Sequence, residues 1–203
     1  MKSLSCTSRV VIGGTLCFSL CSNVALSFEE MKVSRELPPM DKPTEPAEGY
    51  TWHVVKNGKE IIHTVSAVDG ETVSWETDDG CVYTEVNWGF APSLDWTNCK
   101  PWKDGSQTIT KTKGSIWPLQ VKNKIKYSYS GKYTRGVDTW KETRSCKVEK
   151  QVRVRVPAGE FDTYRVKCKQ SGGNNRTWWI SPELEEAVAF KNKYGLSELL
   201  VKP

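Results

Sequence analysis

Residues 146–168 read CKVEKQVRVRVPAGEFDTYRVKC. Cys146, Val148, Val152, Val154 and Val156 share one parity, while Lys147, Glu149, Gln151, Arg153 and Arg155 share the other. Successive side chains of a strand point to opposite faces, so this alternation predicts a strand with one face in a core and one in water. Lys150 is the single break in the inner set. Pro157-Ala158-Gly159-Glu160 turns the chain, after which Tyr164, Val166 and Cys168 alternate against Thr163, Arg165 and Lys167. Both cysteines then face inward, as a buried bridge between neighbouring strands requires. Pairing Val156 with Phe161, however, leaves Cys168 opposite Glu149, about 10 Å along the strand from Cys146, whereas bridged Cα atoms lie within ~7 Å. A bulge near Lys150 closes part of that gap.

The texture is the same from Gly49 onward. Tyr50–Lys56 and Glu60–Val68 flank Asn57-Gly58, the dipeptide that best supports a tight hairpin. Asp69-Gly70 and Asp79-Gly80 follow at regular spacing, with Thr72, Val73, Trp75, Cys81, Val82 and Tyr83 between them. Further runs at 107–113, 124–130, 137–144, 176–181 and 196–201 continue the pattern. The expected fold is mainly β: one antiparallel barrel, half-barrel or sandwich with few or no helices.

The ends and the cysteines point to a compartment. Lys2 and Arg9 precede a largely apolar stretch ending in Ala25-Leu26-Ser27, which reads as residues 1–27 forming an export signal cut before Phe28. The uncharged run is shorter and more diluted than the ~20 apolar residues that span a bilayer, so no transmembrane anchor is expected after cleavage. Residues 28–48, FEEMKVSRELPPMDKPTEPAE, are rich in proline and charge and read as an extended tail, either a spacer or a docking peptide for a partner. Residues 49–203 form the domain. Three of the seven cysteines fall in the signal, and the remaining four, Cys81, Cys99, Cys146 and Cys168, make two disulfides in an exported chain. Local pairing favours 81–99 and 146–168. Without residues 1–27 the chain carries 27 basic against 24 acidic residues, a formal +3, too little to imply nucleic acid. A periplasmic or secreted protein is expected.

Three segments carry a resemblance: Trp117-Pro118-Leu119-Gln120-Val121, Val154–Tyr164 around Pro157-Ala158-Gly159-Glu160-Phe161, and Thr177-Trp178-Trp179-Ile180-Ser181-Pro182-Glu183-Leu184. In this order they resemble a broad group of uncharacterised bacterial exported proteins. The pieces around Cys81 and Cys99 look like a disulfide-bearing subgroup. The likeness runs from about Gly49 to the end. It implies an antiparallel β-barrel or half-barrel and no reaction.

Candidate chemistry is sparse. His53 and His63 lie on opposite sides of the Asn57-Gly58 turn and out of register, and no metal-ligand spacing is present, so no metal or other cofactor is expected. Ser74, Ser93 and Ser197 lack a nucleophile-elbow setting, and no catalytic residue is assigned. Glu160 and Asp162 form an acid pair at a hairpin turn, where carboxylates are ordinarily solvated, and Glu183, Glu185 and Glu186 form a second acidic run. All nine tryptophans follow the signal. Trp88, Trp96 and Trp102 cluster in the loop-rich stretch 86–105, and Trp178 and Trp179, being consecutive on a strand, cannot fill the same core. These five are the candidate binding aromatics. The expectation is a non-catalytic β-domain that binds an envelope partner, a protein, a glycan such as peptidoglycan, or a lipid, through aromatic surface and the tail. The alternative is a glycan-acting hydrolase with a carboxylate pair.

Overall fold

The structure, a computed structural model, describes residues 28–88, 90–101 and 103–202. The proposed signal therefore lies outside the described residues, as does Trp102. All regular structure among them is β: β1 (Glu29–Met31), β2 (Thr51–Lys56), β3 (Lys59–Asp69), β4 (Thr72–Thr77), β5 (Val82–Val86), β6 (Asp95–Thr97), β7 (Gly105–Ser115), β8 (Lys124–Tyr133), β9 (Thr139–Val156), β10 (Gly159–Gln170), β11 (Arg176–Ser181), β12 (Glu186–Asn192) and β13 (Gly195–Leu199). Strands β2 to β13 pair antiparallel in a ring, β9-β10-β11-β12-β13-β2-β3-β4-β5-β6-β7-β8, and β8 returns to β9 to close a twelve-stranded barrel. Closure leaves no free sheet edge, which removes the usual hazard of edge pairing. Among the described residues no helix is long and apolar enough to cross a membrane.

Turn chemistry sets the registers. Asn57 and Gly58 both take positive φ, 52° and 77°, the combination a two-residue turn needs to match strand twist, and Lys56 pairs with Lys59. At the β9–β10 hairpin only Pro157 and Ala158 are unpaired, because Val156 pairs with Gly159. That pairing is two residues tighter than the sequence expectation. A bulge then takes up one more residue: Arg165 pairs with Lys150 but Val166 pairs with Val148. Together they remove the three-residue mismatch, and Cys146 stands opposite Cys168. Both local disulfides form, Cys81–Cys99 and Cys146–Cys168, with Cα–Cα distances of 4.4 and 3.9 Å.

The bulge also corrects the reading of the valines. A one-residue slip moves every later side chain to the other face. Along uninterrupted β10, Tyr164, Val166 and Cys168 share one face while Phe161 and Thr163 share the other, and all five are buried. Cys146 and Val148 therefore pack with Tyr164, Val166, Ile116, Leu119 and Ile180 in a first core. Val152, Val154 and Val156 pack with Phe161, Trp179, Val188 and Leu199 in a second, on the opposite side of the sheet.

The segment before the barrel is extended and lies against it. β1 adds to β9 at Arg153–Arg155, beyond the stretch that β8 covers. Phe28 meets Trp179 edge-on at 4.9 Å. Gln151 imitates a strand: its Oε1 accepts from the Leu37 amide at 2.8 Å and its Nε2 donates to the Leu37 carbonyl at 2.9 Å. Tyr164 Oη donates to the carbonyls of Leu37 and Pro38, and Met40 is buried and bridges to Leu119. Glu30 is the main polar pin, accepting from Lys150 at 2.8 Å, Arg165 at 3.0 Å and Trp179 Nε1 at 2.8 Å. Burial works to raise its pKa, but the hydrogen bonds from Lys150, Trp179 and Arg165, with the Arg165 charge, outweigh it and the net direction is down.

A carboxyl whose folded pKa is lowered stabilises the fold above its unfolded pKa and stops doing so as pH falls through the folded value. We expect Glu30→Ala to cost about 1–3 kcal/mol, the range for a buried charged hydrogen-bond group left without its partner. Trypsin should then cut at Lys32 and Arg35 much faster while the barrel stays intact. In the unaltered protein, cleavage kinetics by an acid-active protease should show the same loosening only below the ordinary carboxylate range.

Candidate functional site

The barrel interior is not uniformly apolar. Parity counted back from Cys146 places Arg144, Glu142 and Trp140 on the inward face, and their partners across β8, Tyr127, Tyr129 and Gly131, point the same way. Arg144 is only 1% exposed. Its guanidinium donates through Nη2 to Gln170 Oε1 at 2.8 Å and through Nη1 to the Phe90 carbonyl at 3.4 Å. Gln170 Nε2 and Tyr129 Oη both donate to Glu142 Oε2, at 2.6 and 2.7 Å. Burial and the neighbouring Arg176 disfavour the charged form of Arg144, while Tyr129, Glu85 and Glu142 support it.

A cavity of about 250 Å³ adjoins this network through Phe90. Trp52, Trp75, Trp88 and Trp178 wall it with Tyr50, Tyr83 and Phe90; Glu85, Glu186 and Asn87 supply polar groups; and Pro43–Pro46 of the N-terminal segment form one side. Strand pairing places these residues: Val65, Trp75 and Tyr83 are successive cross-strand partners, as are Val73 and Glu85. Glu186, the first residue of β12, accepts from Tyr50 Oη at 2.7 Å on Oε2 and from the Ala187 amide at 2.7 Å on Oε1. Trp52 Nε1 donates to the Ala187 carbonyl at 3.1 Å, which holds that ring against β12. Asn87 Nδ2 is buried without a hydrogen-bond partner among the described residues, a state native proteins seldom tolerate away from a ligand or water.

Both acids are shifted toward the neutral form. Burial pushes Glu186 up to about 7 against the bonds from Tyr50 and the Ala187 amide, and the Glu85 charge adds to the rise. Burial likewise raises Glu85 to about 6, outweighing the positive charges of Arg176 and Arg144. His63, whose Nδ1 lies 3.0 Å from Tyr83 Oη, is driven down to about 4 by burial, with Asp78 opposing. Near neutral pH Glu186 is therefore partly protonated and able to donate as well as accept, Glu85 is mostly an acceptor, and the neighbouring His63 is neutral. The backbone is strained at Trp88 and Phe90, which both take positive φ, 50° and 52°, unusual for bulky side chains. Trp117 secures both residues, donating from Nε1 to the Trp88 carbonyl at 2.8 Å and stacking on Phe90 at 5.9 Å.

The residues singled out from sequence are distributed unevenly. Trp88 and Trp178 line the cavity. Trp179 is buried in the second core beneath Phe28 and Glu30, so the two consecutive tryptophans do serve opposite faces. Trp96 stands apart from Trp88, tilted against Trp140 at 6.0 Å and bonded through Nε1 to the Lys103 carbonyl at 2.6 Å. Every described tryptophan is half-buried or buried, and of the candidate binding aromatics Trp88 and Trp178 belong to the cavity wall. Glu160 and Asp162 do not converge: their carboxylates lie 2.7 Å from Arg155 and 2.8 Å from Arg153 as cross-strand ion pairs. Of the second acidic run, Glu185 and Glu186 both line the cavity, joined there by Glu85, which the sequence does not single out. His53 pairs with Ile62 and His63 with Trp52, on opposite faces of the hairpin.

These features define a class: a closed, disulfide-bridged antiparallel β-barrel with a polar, aromatic-walled interior. No family model matches the sequence, and no curated protein matches it. Among solved structures the chain is similar to a hypothetical lipoprotein, YmcC, from Escherichia coli (K12), at a TM-score of 0.48 and 9% identity over 79% of this chain and 92% of that one. A likeness so distant carries no argument about function.

A carboxyl raised in the folded state contributes stability that is full below its unfolded pKa and is lost as pH rises through its folded pKa. We therefore expect conformational stability, measured by denaturant unfolding, to decline between about pH 4.5 and about pH 7. Glu186→Gln should flatten that decline, and an unchanged slope would mean that Glu186 is solvated.

Proposed function

We propose that this chain is a non-catalytic, exported binding domain that takes a small glycan unit in the barrel cavity. The observation that carries the reading is the convergence of Glu85, Glu186 and the unpartnered Asn87 amide inside a wall of Trp52, Trp75, Trp88 and Trp178. Sugar rings are amphipathic: their C–H faces suit indole faces, and their hydroxyls suit a few placed donors and acceptors. Binding sites of this kind are mostly apolar with a small number of oriented polar groups. At about 250 Å³ the cavity is below the ~300–1,000 Å³ of drug-sized sites, which favours a single ring or a chain end. An acyl chain is disfavoured, because it would set Glu85, Glu186 and the Asn87 amide against hydrocarbon. The two disulfides and the signal-like residues 1–27 support an oxidising, envelope-side location.

A second reading draws on the same acid pair. Two carboxyls with raised and unequal pKa values, about 6 and about 7, are what acid–base chemistry on a glycosidic bond uses. Titration calorimetry and tryptophan fluorescence with hexose and amino-sugar mono- and disaccharides test the binding reading. Trp75→Ala and Trp178→Ala should each weaken binding by about 1–3 kcal/mol while the fold persists, the range for anchoring aromatics. Glu85→Gln should also weaken it, with no product formed by either protein. Product release by the unaltered protein that Glu85→Gln or Glu186→Gln abolishes would replace the binding domain with a hydrolase, and no saturable binding to any glycan would sink both.

A further inference from the structure

We propose that the outer face of β7–β10 is an electrostatic docking surface for an anionic phospholipid membrane. β7 (GSQTITKTKGS) and β8 (KIKYSYSGKY) contain no acidic residue. Cross-strand partners share a face, and here Lys113 pairs with Lys126, Lys124 with Lys147, and Lys147 in turn with Lys167. The opposite parity, Tyr127, Tyr129, Arg144 and Cys146, is buried, which fixes the lysines outward. Lys111, Lys141 and Lys169 widen the array, and Ser128, Ser130 and Ser145 fill the positions between.

Like charges placed directly opposite destabilise a sheet. A merely solvated face would alternate sign, as the other end of β9–β10 does with Arg153–Asp162 and Arg155–Glu160. On the lysine face the acids are held elsewhere: Glu142 points inward to Tyr129 and Gln170, and Glu149 sits at the bulge on Arg165 and Lys167. Among the described residues, Lys111, Lys113, Lys124, Lys126, Lys141 and Lys147 are exposed and make no ion pair. The segregation is stronger than the chain's formal net charge of +5 suggests.

The geometry selects among polyanions. Four strands spaced ~4.8 Å apart, with ~3.3 Å per residue along each, spread these charges over two dimensions, roughly 15 by 30 Å. A polymer follows a line, whereas a leaflet of headgroups is a plane. The face carries no aromatic ring on which bases or sugars stack. Its cations are lysines, point charges that attract phosphate without the fixed fork by which arginine reads one phosphate geometry. The β8–β9 turn at one end of the face adds Arg135 and Val137, the latter 93% exposed, an apolar tip of headgroup depth. The surface lies on the outside of the barrel wall, so the proposal stands or falls separately from the cavity reading.

Co-sedimentation of the disulfide-bonded protein with vesicles tests it. The protein should partition onto vesicles of mixed phosphatidylglycerol and phosphatidylcholine, not onto phosphatidylcholine alone, and should be released as salt rises from ~0.1 to ~0.5 M. The triple variant K113Q/K126Q/K147Q, with an unchanged melting transition, should bind about a hundred-fold more weakly, from several-fold per lysine at an anionic surface. K111Q/K124Q/K141Q should behave alike, and K59Q/K193Q, at β3 and the β12–β13 turn, should bind normally. Undiminished binding by both triple variants would overturn the proposal. So would absence of binding to the anionic vesicles, including the case in which the lysines retain an acidic polysaccharide or a nucleic acid instead.

Discussion

Everything in this fold depends on one unpaired residue in β9. Between Val148 and Lys150 the strand carries an extra residue that β10 does not match, and from that point the two faces exchange roles. Before it, Cys146 and Val148 fill the barrel; after it, Val152, Val154 and Val156 bury the other face. Without the bulge the alternating valines would carry on into the barrel, Cys146 would miss Cys168 by one residue, and the second core would not exist. The second core is also what the N-terminal segment covers, through Phe28 and the Glu30 bond to Trp179. Glu30 closes the same feature from outside, because its partners Lys150 and Arg165 are the paired residues beside the bulge.

Much of this was legible in the sequence, and the failures have physical reasons. Turn residues act locally, so Asn57-Gly58 announced its hairpin and its register. The disulfides followed from export-type cysteine usage and short spacing. The bulge left only a hint, Lys150 standing where an apolar residue was due. A stronger hint was missed: Phe161 and Tyr164 are three apart on one strand and cannot share a face, so two buried faces were implied. Proline and charge in residues 28–48 point to an extended tail, a spacer or a docking peptide for a partner, and give no sign that its docking surface is this chain's own barrel. That docking runs through the Leu37 carbonyl, which accepts from Gln151 and Tyr164, a backbone contact that no side-chain pattern in the tail announces.

The site was hidden by an assumption rather than by silence. Hydrophobic-inside reasoning treats Glu85, Glu142, Arg144 and Arg176 as solvent-facing. Yet parity from Cys146 alone sends Arg144 and Glu142 inward, against the lysines at 141 and 147 that face out. A barrel of twelve strands has room for an interior that apolar side chains do not fill, and this one uses it for a hydrogen-bonded network from Arg144 through Gln170 and Glu142 to Tyr129. Unpaired buried charge is costly. Glu85 and Glu186 meet that cost by moving toward neutrality, and Arg144 meets it with the Gln170 carboxamide and the Phe90 carbonyl. Net charge concealed the complementary fact outside, where cations are segregated onto one wall while most acids are drawn into pairs or into the interior.

The claim that ties these parts together is that the barrel interior is a water-poor, acid-bearing site rather than an open cleft. Carbon-13 NMR titration of the glutamate side-chain carboxyls addresses it directly. Glu186 should titrate at about 7 and Glu85 at about 6, each assigned by its Gln variant. Both carboxyls titrating near the ordinary glutamate value of about 4.3 would mean that bulk water reaches them, and the account of the site would be wrong.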